Sequence, residues 1–448
     1  MRRVAVVGSG IAGLAVAHAL RNSARVTLFE ADRRFGGHAN TVDLTLGGVT
    51  HGVDTGFLVL NERTYPKLLQ LFAELGVETV KSDMSFSVQD KRSGLEWSGS
   101  NLGSVFAQRA NLLRPRFWNM LREVLRFNAL ATRLARAVAV PASPAATALE
   151  SIGEFLDRER FGREFREWYF LPMVGSIWSS PTAQMLRFPV ATMLRFCDNH
   201  GLLQVTNRPQ WHTVRGGARH YVEKIARTVA DRRLNTPVRS IRRAAAGAAD
   251  ASVWVSTAHG TEPFDALVLA CHSDQSLALL ADPSDAERAV LGAIRYQTNR
   301  AVLHTDESVL PTRRNAWAAW NYERAADASG DPSSDPEEAV CLHYWLNRLQ
   351  PLPFHQPVIV SLNPLRAPRA DMVHAEIDYA HPVFDAAAIA AQQRLSDIQG
   401  RGHTWFCGAW TRYGFHEDGL VSGLAVAERL RAAAPAPAES PCPMPVAA

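Results

Sequence analysis

The feature that most constrains this chain is a glycine motif, Gly8-Ser9-Gly10-Ile11-Ala12-Gly13. It lies between an apolar run at Val4–Val7 and an alanine- and leucine-rich stretch that keeps helical spacing to Leu20. Strand, tight turn and helix is the simplest structure for that text. Each glycine then has its own mechanical task. Gly8 makes the turn, Gly10 lets the backbone approach a pyrophosphate, and Gly13 lets helix and strand pack closely. The first helical residues, Ile11 and Ala12, present unpaired N–H groups to the phosphates. Arg25–Glu30 alternates as a second strand and closes on Glu30, a carboxylate placed to hold ribose hydroxyls, with Ala31 beside it. A chance glycine-rich turn does not explain strand, helix and acidic strand end falling in register. The unit reads as a dinucleotide site, and by itself it leaves NAD and FAD both open.

A second glycine pair, Gly36-Gly37 in EADRRFGGHANT, follows Glu30 at short range. Here the chain resembles the superfamily of flavin-containing amine oxidases, phytoene desaturases and protoporphyrinogen oxidases, whose pattern adds such a pair after the ribose-binding acid. Its bacterial NAD/FAD-binding, amine-oxidase-like branch is similar through GGHANTV and GFHEDGLVSG. Three further segments resemble the family in order. Asp54-Thr55-Gly56-Phe57 matches a segment near the flavin ring, and Pro237-Val238-Arg239 matches the strand whose valine backbone meets adenine. Gly408-Ala409 with Gly414-Phe415 through Val421 matches the C-terminal flavin motif. The chain departs at His38 and Asp32, where relatives carry arginines, and at Ala409, where an acid is common.

The resemblance implies an α/β fold, with a Rossmann-type FAD-binding domain of the glutathione-reductase kind interleaved with an α+β substrate domain of mixed sheet and helices. Residues 1–80, 205–290 and 400–434 are the expected cofactor segments, and 81–204 and 291–399 the substrate segments. Non-covalent FAD is the expected cofactor. Cys407 precedes Gly408 at a strand end, downstream of where relatives attach the flavin through cysteine.

Family amine oxidases place a lysine in the substrate domain and two tyrosines around the flavin. Only four of the 48 basic residues are lysine, Lys67, Lys81, Lys91 and Lys224, and all precede the usual position. Phe415 stands in the place of the second tyrosine. Trp178, Trp317, Tyr344 and Trp345 are candidates for an apolar substrate pocket, although core packing explains most large aromatics. His416, beside the inferred ring, is a candidate acid or base or a plain hydrogen-bonding group. No catalytic side chain is assigned, because flavin N5 accepts a hydride itself. The leading expectation is a dehydrogenase or desaturase of a hydrophobic lipid or fatty-acyl substrate. A peroxide-releasing amine oxidase and a non-catalytic flavin-binding protein are the alternatives.

At 448 residues the chain is too long for one core, and its 47% hydrophobic content suits two. No apolar run reaches membrane-spanning length. Glycines interrupt the apolar N-terminus, which is read as mature protein rather than a signal peptide. Five scattered cysteines point to reduced thiols, and no metal site is expected. Arg109–Arg136 reads as a basic amphipathic helix, either a solvated arginine face over the substrate domain or a surface resting on anionic lipid headgroups, with membrane phospholipid acyl chains as the possible substrate. With few lysines and no reader motif, nucleic acid is not an expected partner. A cytoplasmic enzyme, at or near the inner face of the cell membrane, is the expected location. Asp327–Glu338 reads as a surface loop and 435–448 as a disordered tail.

Overall fold

The computed structural model describes residues 1–138, 150–204, 208–244, 253–325 and 340–433. The expected loop at 327–338 and tail at 435–448 lie outside the described residues.

A five-stranded sheet runs Asp231–Arg233, Ala24–Phe29, Arg2–Val7, Ala266–Leu269, Thr404–Phe406, with every pair parallel. Counted in chain order this is 3-2-1-4-5, the doubly wound arrangement. Ligands of such sheets sit outside the carboxyl ends of the strands where the order reverses. Here that point lies between Val7 and Leu269, which are paired neighbours. The central strands are apolar on both faces because both are covered. On one side the helices Ile11–Leu20, Arg219–Arg227 and His416–Ala432 supply Leu14, Val16, Tyr221, Ile225, Leu420 and Val426. On the other, an antiparallel sheet of Ser240–Arg243, Val253–Thr257 and Gly260–Phe264 supplies Ile241, Val255 and Phe264.

A seven-stranded mixed sheet runs Val373–Val383, Arg295–His304, Ile359–Leu362, Cys341–Trp345, Trp320–Arg324, Phe86–Asp90, Leu95–Ser98. The two sheets therefore alternate along the chain. A hairpin, Thr41–Leu46 with Val49–Asp54, turns on Gly47-Gly48, whose φ values of +58° and +80° suit a two-residue turn with both central residues left-handed. Helices Pro115–Val138, Ile152–Arg158, Leu171–Trp178 and Val190–Asn199 enclose a core rich in phenylalanine, including Phe127, Phe155, Phe165, Phe170 and Phe196.

Local chemistry shifted several boundaries from those the sequence suggests. The helical text from Leu102 breaks into a short turn at Leu102–Val105 and a 3-10 turn at Arg109–Leu113 before Pro115 starts the long helix at its first position. Ile152–Arg158 stops where Arg160 takes a left-handed φ of +53°, and the chain resumes through a π-helical turn at Arg166–Phe170. The small-residue run suggests a last helix from Gly419 to Ala434, yet it begins at His416, because the Phe415 N–H donates to the Asp418 carboxylate at 3.0 Å. Val238 lies just before the strand Ser240–Arg243 rather than within one.

Candidate active site

The glycine turns are built as the motif requires. Gly8 has φ +96°, and a Cβ on Gly13 would sit 1.9 Å from the Gly8 carbonyl oxygen, so only glycine lets helix and turn meet. A Cβ on Gly10 would meet nothing within 4 Å. Nothing in the polypeptide therefore requires glycine at position 10, and the space in front of the first helix is clear there. No side chain caps that helix, which leaves the Ile11 and Ala12 end to an outside acceptor.

Glu30 is aimed into this turn. Its carboxylate accepts from Ser9 N–H and Asp32 N–H, each at 2.9 Å, and from the Ser9 hydroxyl. Beside it the Thr236 N–H donates to the Glu30 carbonyl at 2.8 Å, which brings the segment carrying Val238 to the same end of the site. Ala31 is exposed next to it. The second glycine pair lies on the first turn: Gly36 N–H donates to the Ser9 carbonyl at 3.0 Å, and a Cβ on Gly37 would come 3.1 Å from Gly10 Cα.

From Gly37 the chain passes to His38, whose Nε2 is buried without a partner. A Cβ on Gly56 would lie 2.1 Å from the His38 carbonyl oxygen, and Phe57 N–H donates to that oxygen at 2.8 Å. The His38 ring neighbours Tyr379 at 4.9 Å, His381 at 5.2 Å and His272 at 6.3 Å between ring centres. Burial lowers the pKa of all three imidazoles, to about 4 for His381. Arg34 adds a second unpartnered enclosed group, its Nη1. Sequence reasoning missed Arg34, His272, Tyr379 and His381, and only EADRRFGGHANT carries a hint, its second arginine.

Asp54 proves to be a clamp. Buried, it accepts from Thr41 Oγ1 at 2.5 Å, the Ala218 N–H at 3.0 Å and Gln350 Nε2 at 2.8 Å, and burial raises its pKa to about 6. It ties the hairpin, the helix before which Ala218 stands and the end of the mixed sheet together.

At the last helix, neighbouring residues point opposite ways. His416 stacks on Phe57 at 3.9 Å, and its Nε2 lies 2.6 Å from the Tyr221 hydroxyl. Burial lowers its pKa to about 3, so it stands as a neutral, hydrogen-bonded ring rather than a proton reservoir. Phe415 instead joins the helical side, stacked on Phe196 at 4.8 Å and near His200 and Trp178. Gly408 N–H donates to Ser422 Oγ, and a Cβ on Gly414 would meet Phe384 at 2.9 Å. Ala409 lies against Gly419, two residues before the partly exposed Val421. Cys407 is fully buried behind this turn, and burial pushes its thiol pKa up.

The four aromatic pocket candidates separate. Trp178 packs on Phe188 and Phe196 and donates to the Tyr413 carbonyl. The Tyr344 hydroxyl lies near the Ser179 side chain, so it reaches the same seam. Trp317 and Trp345 do not: they meet edge to face at 5.2 Å, and Trp317 packs with Val309, Leu310 and Ile359. The reason is strand alternation, since Tyr344 and Trp345 are consecutive and must face opposite sides of the sheet. That outer face also carries the one group of potential ligands among the described residues, Glu323, Cys341 and His343. Its polar atoms are engaged in a chain from His304 through Ser361 to His343 and Glu323, with Lys91 beside Glu323.

Two adjoining clefts, about 170 and 370 Å³ in volume, open beside Trp178 and Tyr413 respectively and share Phe188 and Phe384 as walls. Trp178 and Met185 line the first, and Arg187, Arg195 and Arg412 stand among the polar residues around them.

The enclosed imidazoles have a pH consequence. The unfolded chain protonates them near 6.5. His381, His416 and His200 hold their folded pKa at about 4, 3 and 4. Stability is therefore present above pH 6.5 and is lost as pH falls towards 4. Asp54 and Asp418, each raised to about 6, act in the opposite sense, as do Glu417, also raised, and His343, raised to about 9, but among the described residues these four are outnumbered by the eight imidazoles whose pKa is lowered. Thermal unfolding measured from pH 7 to 5 is expected to move down by several degrees, and a flat profile would contradict these environments.

The family described as flavin containing amine oxidoreductase matches residues 11–350, about three quarters of the chain. No curated protein matches. Among solved structures the chain is similar to the CLA-producing fatty acid isomerase from P. acnes, with TM-score 0.65 and 16% identity over 96% of this chain and 98% of that one. It is equally similar to cyclohexylamine oxidase from Brevibacterium oxydans IH-35A, with TM-score 0.65 and 16% identity over 96% and 99%. Putrescine oxidase bound to putrescine gives TM-score 0.64 and 16% identity over 96% and 99%. These structures share its fold of a doubly wound sheet interleaved with a mixed one. On the family match and that fold, the chain belongs to the flavin-containing amine oxidoreductases and is an FAD-dependent oxidoreductase.

Proposed function

We propose that this enzyme dehydrogenates a hydrophobic acyl substrate at the seam between Phe415 and the helices carrying Trp178 and Phe196. The single observation that carries the reading is the aromatic, lysine-free wall of that seam. All four lysines lie elsewhere on exposed positions: Lys224 bonds the Leu75 and Gly76 carbonyls, Lys91 pairs with Glu323, Lys67 reaches Gln70, and Lys81 is exposed on a short strand. An apolar lining holds an acyl chain by burial and excludes water, and an ammonium group would be held there only by ring faces. Arginines at the cleft rims suit an anionic head group.

The residues present fit the cofactor on two observations, the empty space before Gly10 and the unpartnered His38 Nε2. Gly8, Gly10, Ile11, Ala12 and Gly13 would hold the pyrophosphate, Glu30 the ribose, Val238 the adenine, and Gly36, Gly37 and His38 the inner side of the diphosphate. Gly56, Phe57, Gly408, Ala409, Gly414 and Val421 would border the flavin half. Bound FAD supplies a two-electron acceptor. Tyr221 keeps His416 oriented and neutral against Phe57, and Phe415 with Phe196 and Trp178 keeps the seam dry. The division into cofactor segments 1–80, 205–290 and 400–434 and substrate segments between them belongs to this reading.

The test is anaerobic titration of the holoenzyme with free fatty acids, acyl phospholipids and a panel of amines. Acyl lipids are expected to bleach the flavin absorbance and amines to leave it. Bleaching by an amine with peroxide release in air would replace this reading with an amine oxidase, and no bleaching by any of them would leave a flavin-binding protein.

A further inference from the structure

We infer that the segment from Leu102 to Arg136 is a docking surface for anionic membrane lipid. Helix Pro115–Val138 already satisfies one apolar face inside the molecule, burying Phe117, Met120, Phe127 and Ala131 at helical spacing. Nothing in folding calls for a second apolar stripe on the outside. Yet five of the eight exposed large hydrophobic residues among the described residues come from this one stretch: Leu102 at 78%, Leu112 at 48%, Leu113 at 89%, Trp118 at 48% and Leu125 at 60% exposure. Scattered single apolar residues need no explanation, but a cluster does.

Its charge selects the partner. Between Trp97 and Val138 the sequence has seven arginines, at 109, 114, 116, 122, 126, 133 and 136, against one acid, Glu123. Glu123 is buried and accepts from the Gly162 N–H, so it leaves the surface wholly cationic. On the helical period Trp118, Arg122, Leu125, Arg133 and Arg136 share the outward face. From the elements packed alongside, Glu164 lies 3.7 Å from Arg116 and the Glu159 carbonyl accepts from Arg126. Among the described residues Arg109, Arg133 and Arg136 have no carboxylate partner. Trp118 donates its indole N–H to the Leu112 carbonyl, which holds the ring beside the leucines.

Leucines and a tryptophan ringed by arginine fit the boundary between acyl chains and phosphate head groups. A second copy of the chain fits poorly, because a two-fold interface would set arginine against arginine. Nucleic acid would use the arginines and leave the leucines in water. No helix among the described residues is long and apolar enough to cross a membrane, so the contact is with the surface. It stands whatever the substrate is.

The test is flotation of the holoprotein with vesicles of phosphatidylcholine alone and with about one third phosphatidylglycerol. Binding is expected to the anionic vesicles, at least tenfold weaker to the neutral ones, and weakened by salt. The double variants Leu113→Ser/Leu125→Ser and Arg133→Gln/Arg136→Gln alter exposed side chains and are expected to keep flavin content and unfolding temperature. Each is expected to weaken binding about tenfold. The inference is overturned if the holoprotein floats with neither vesicle, if binding survives the leucine changes as binding to a soluble polyanion would, or if the same changes instead dissociate a dimer seen by sedimentation.

Discussion

Replacing Gly10 with alanine is expected to leave a folded protein that no longer retains flavin. The added Cβ meets no protein atom within 4 Å, so nothing in the polypeptide has to move. It enters the space before the first helix, where the pyrophosphate backbone contact belongs. We expect FAD affinity to fall about a hundredfold, or roughly 2.7 kcal/mol. Apoprotein unfolding should stay within about 0.5 kcal/mol of wild type. Gly13→Ala supplies the contrast: its Cβ would lie 1.9 Å from the Gly8 oxygen, so it disrupts folding and flavin binding together. Equilibrium titration of both apoproteins with FAD, alongside their unfolding curves, checks the pair. If Gly10→Ala binds FAD normally, the glycine turns have been assigned to the wrong ligand.

Asp54→Ala is expected to have the largest effect on stability. The carboxylate joins Thr41, Ala218 and Gln350, three points far apart in sequence, and it is almost fully buried. Truncation strands a hydroxyl, an amide and a backbone N–H in a site that water cannot readily reach. Each buried donor left unpaired costs about 1–3 kcal/mol, so a loss of more than about 3 kcal/mol is expected by denaturant unfolding. Asp54→Asn keeps the volume and is expected to retain much of that loss, because one of its atoms donates where the site offers donors. A change below about 1 kcal/mol in the alanine variant would mean that the clamp does not hold the hairpin, the helix and the end of the mixed sheet together.

The cofactor end of the molecule was legible because its constraints are local. Gly8 to Glu30 lie within one strand-helix-strand unit, and steric limits on each glycine leave their mark on the sequence. The flavin end was legible only as a resemblance, through Gly408 to Gly423. What the sequence hid is what distant strands bring together. His272, Tyr379 and His381 reach His38 from more than 230 residues away, and no spacing rule connects them. Trp345 separates from Tyr344 for the opposite reason: a pair of adjacent aromatics reads as one cluster until the strand sends them to opposite faces. The start of the last helix at His416 was written in Glu417-Asp418, an acidic first turn, but the glycine after them drew the boundary too late. The outward stripe of Leu113, Trp118 and Leu125 was hidden inside an ordinary amphipathic pattern, because periodicity shows that a face is apolar without showing that it stays uncovered.

Mass spectrometry of the lipid after one anaerobic turnover shows whether an acyl chain loses hydrogen in the aromatic seam. The expected result is a product two hydrogens lighter, formed one for one with bleached flavin. An acyl lipid recovered at unchanged mass, with the flavin still oxidised, would contradict it.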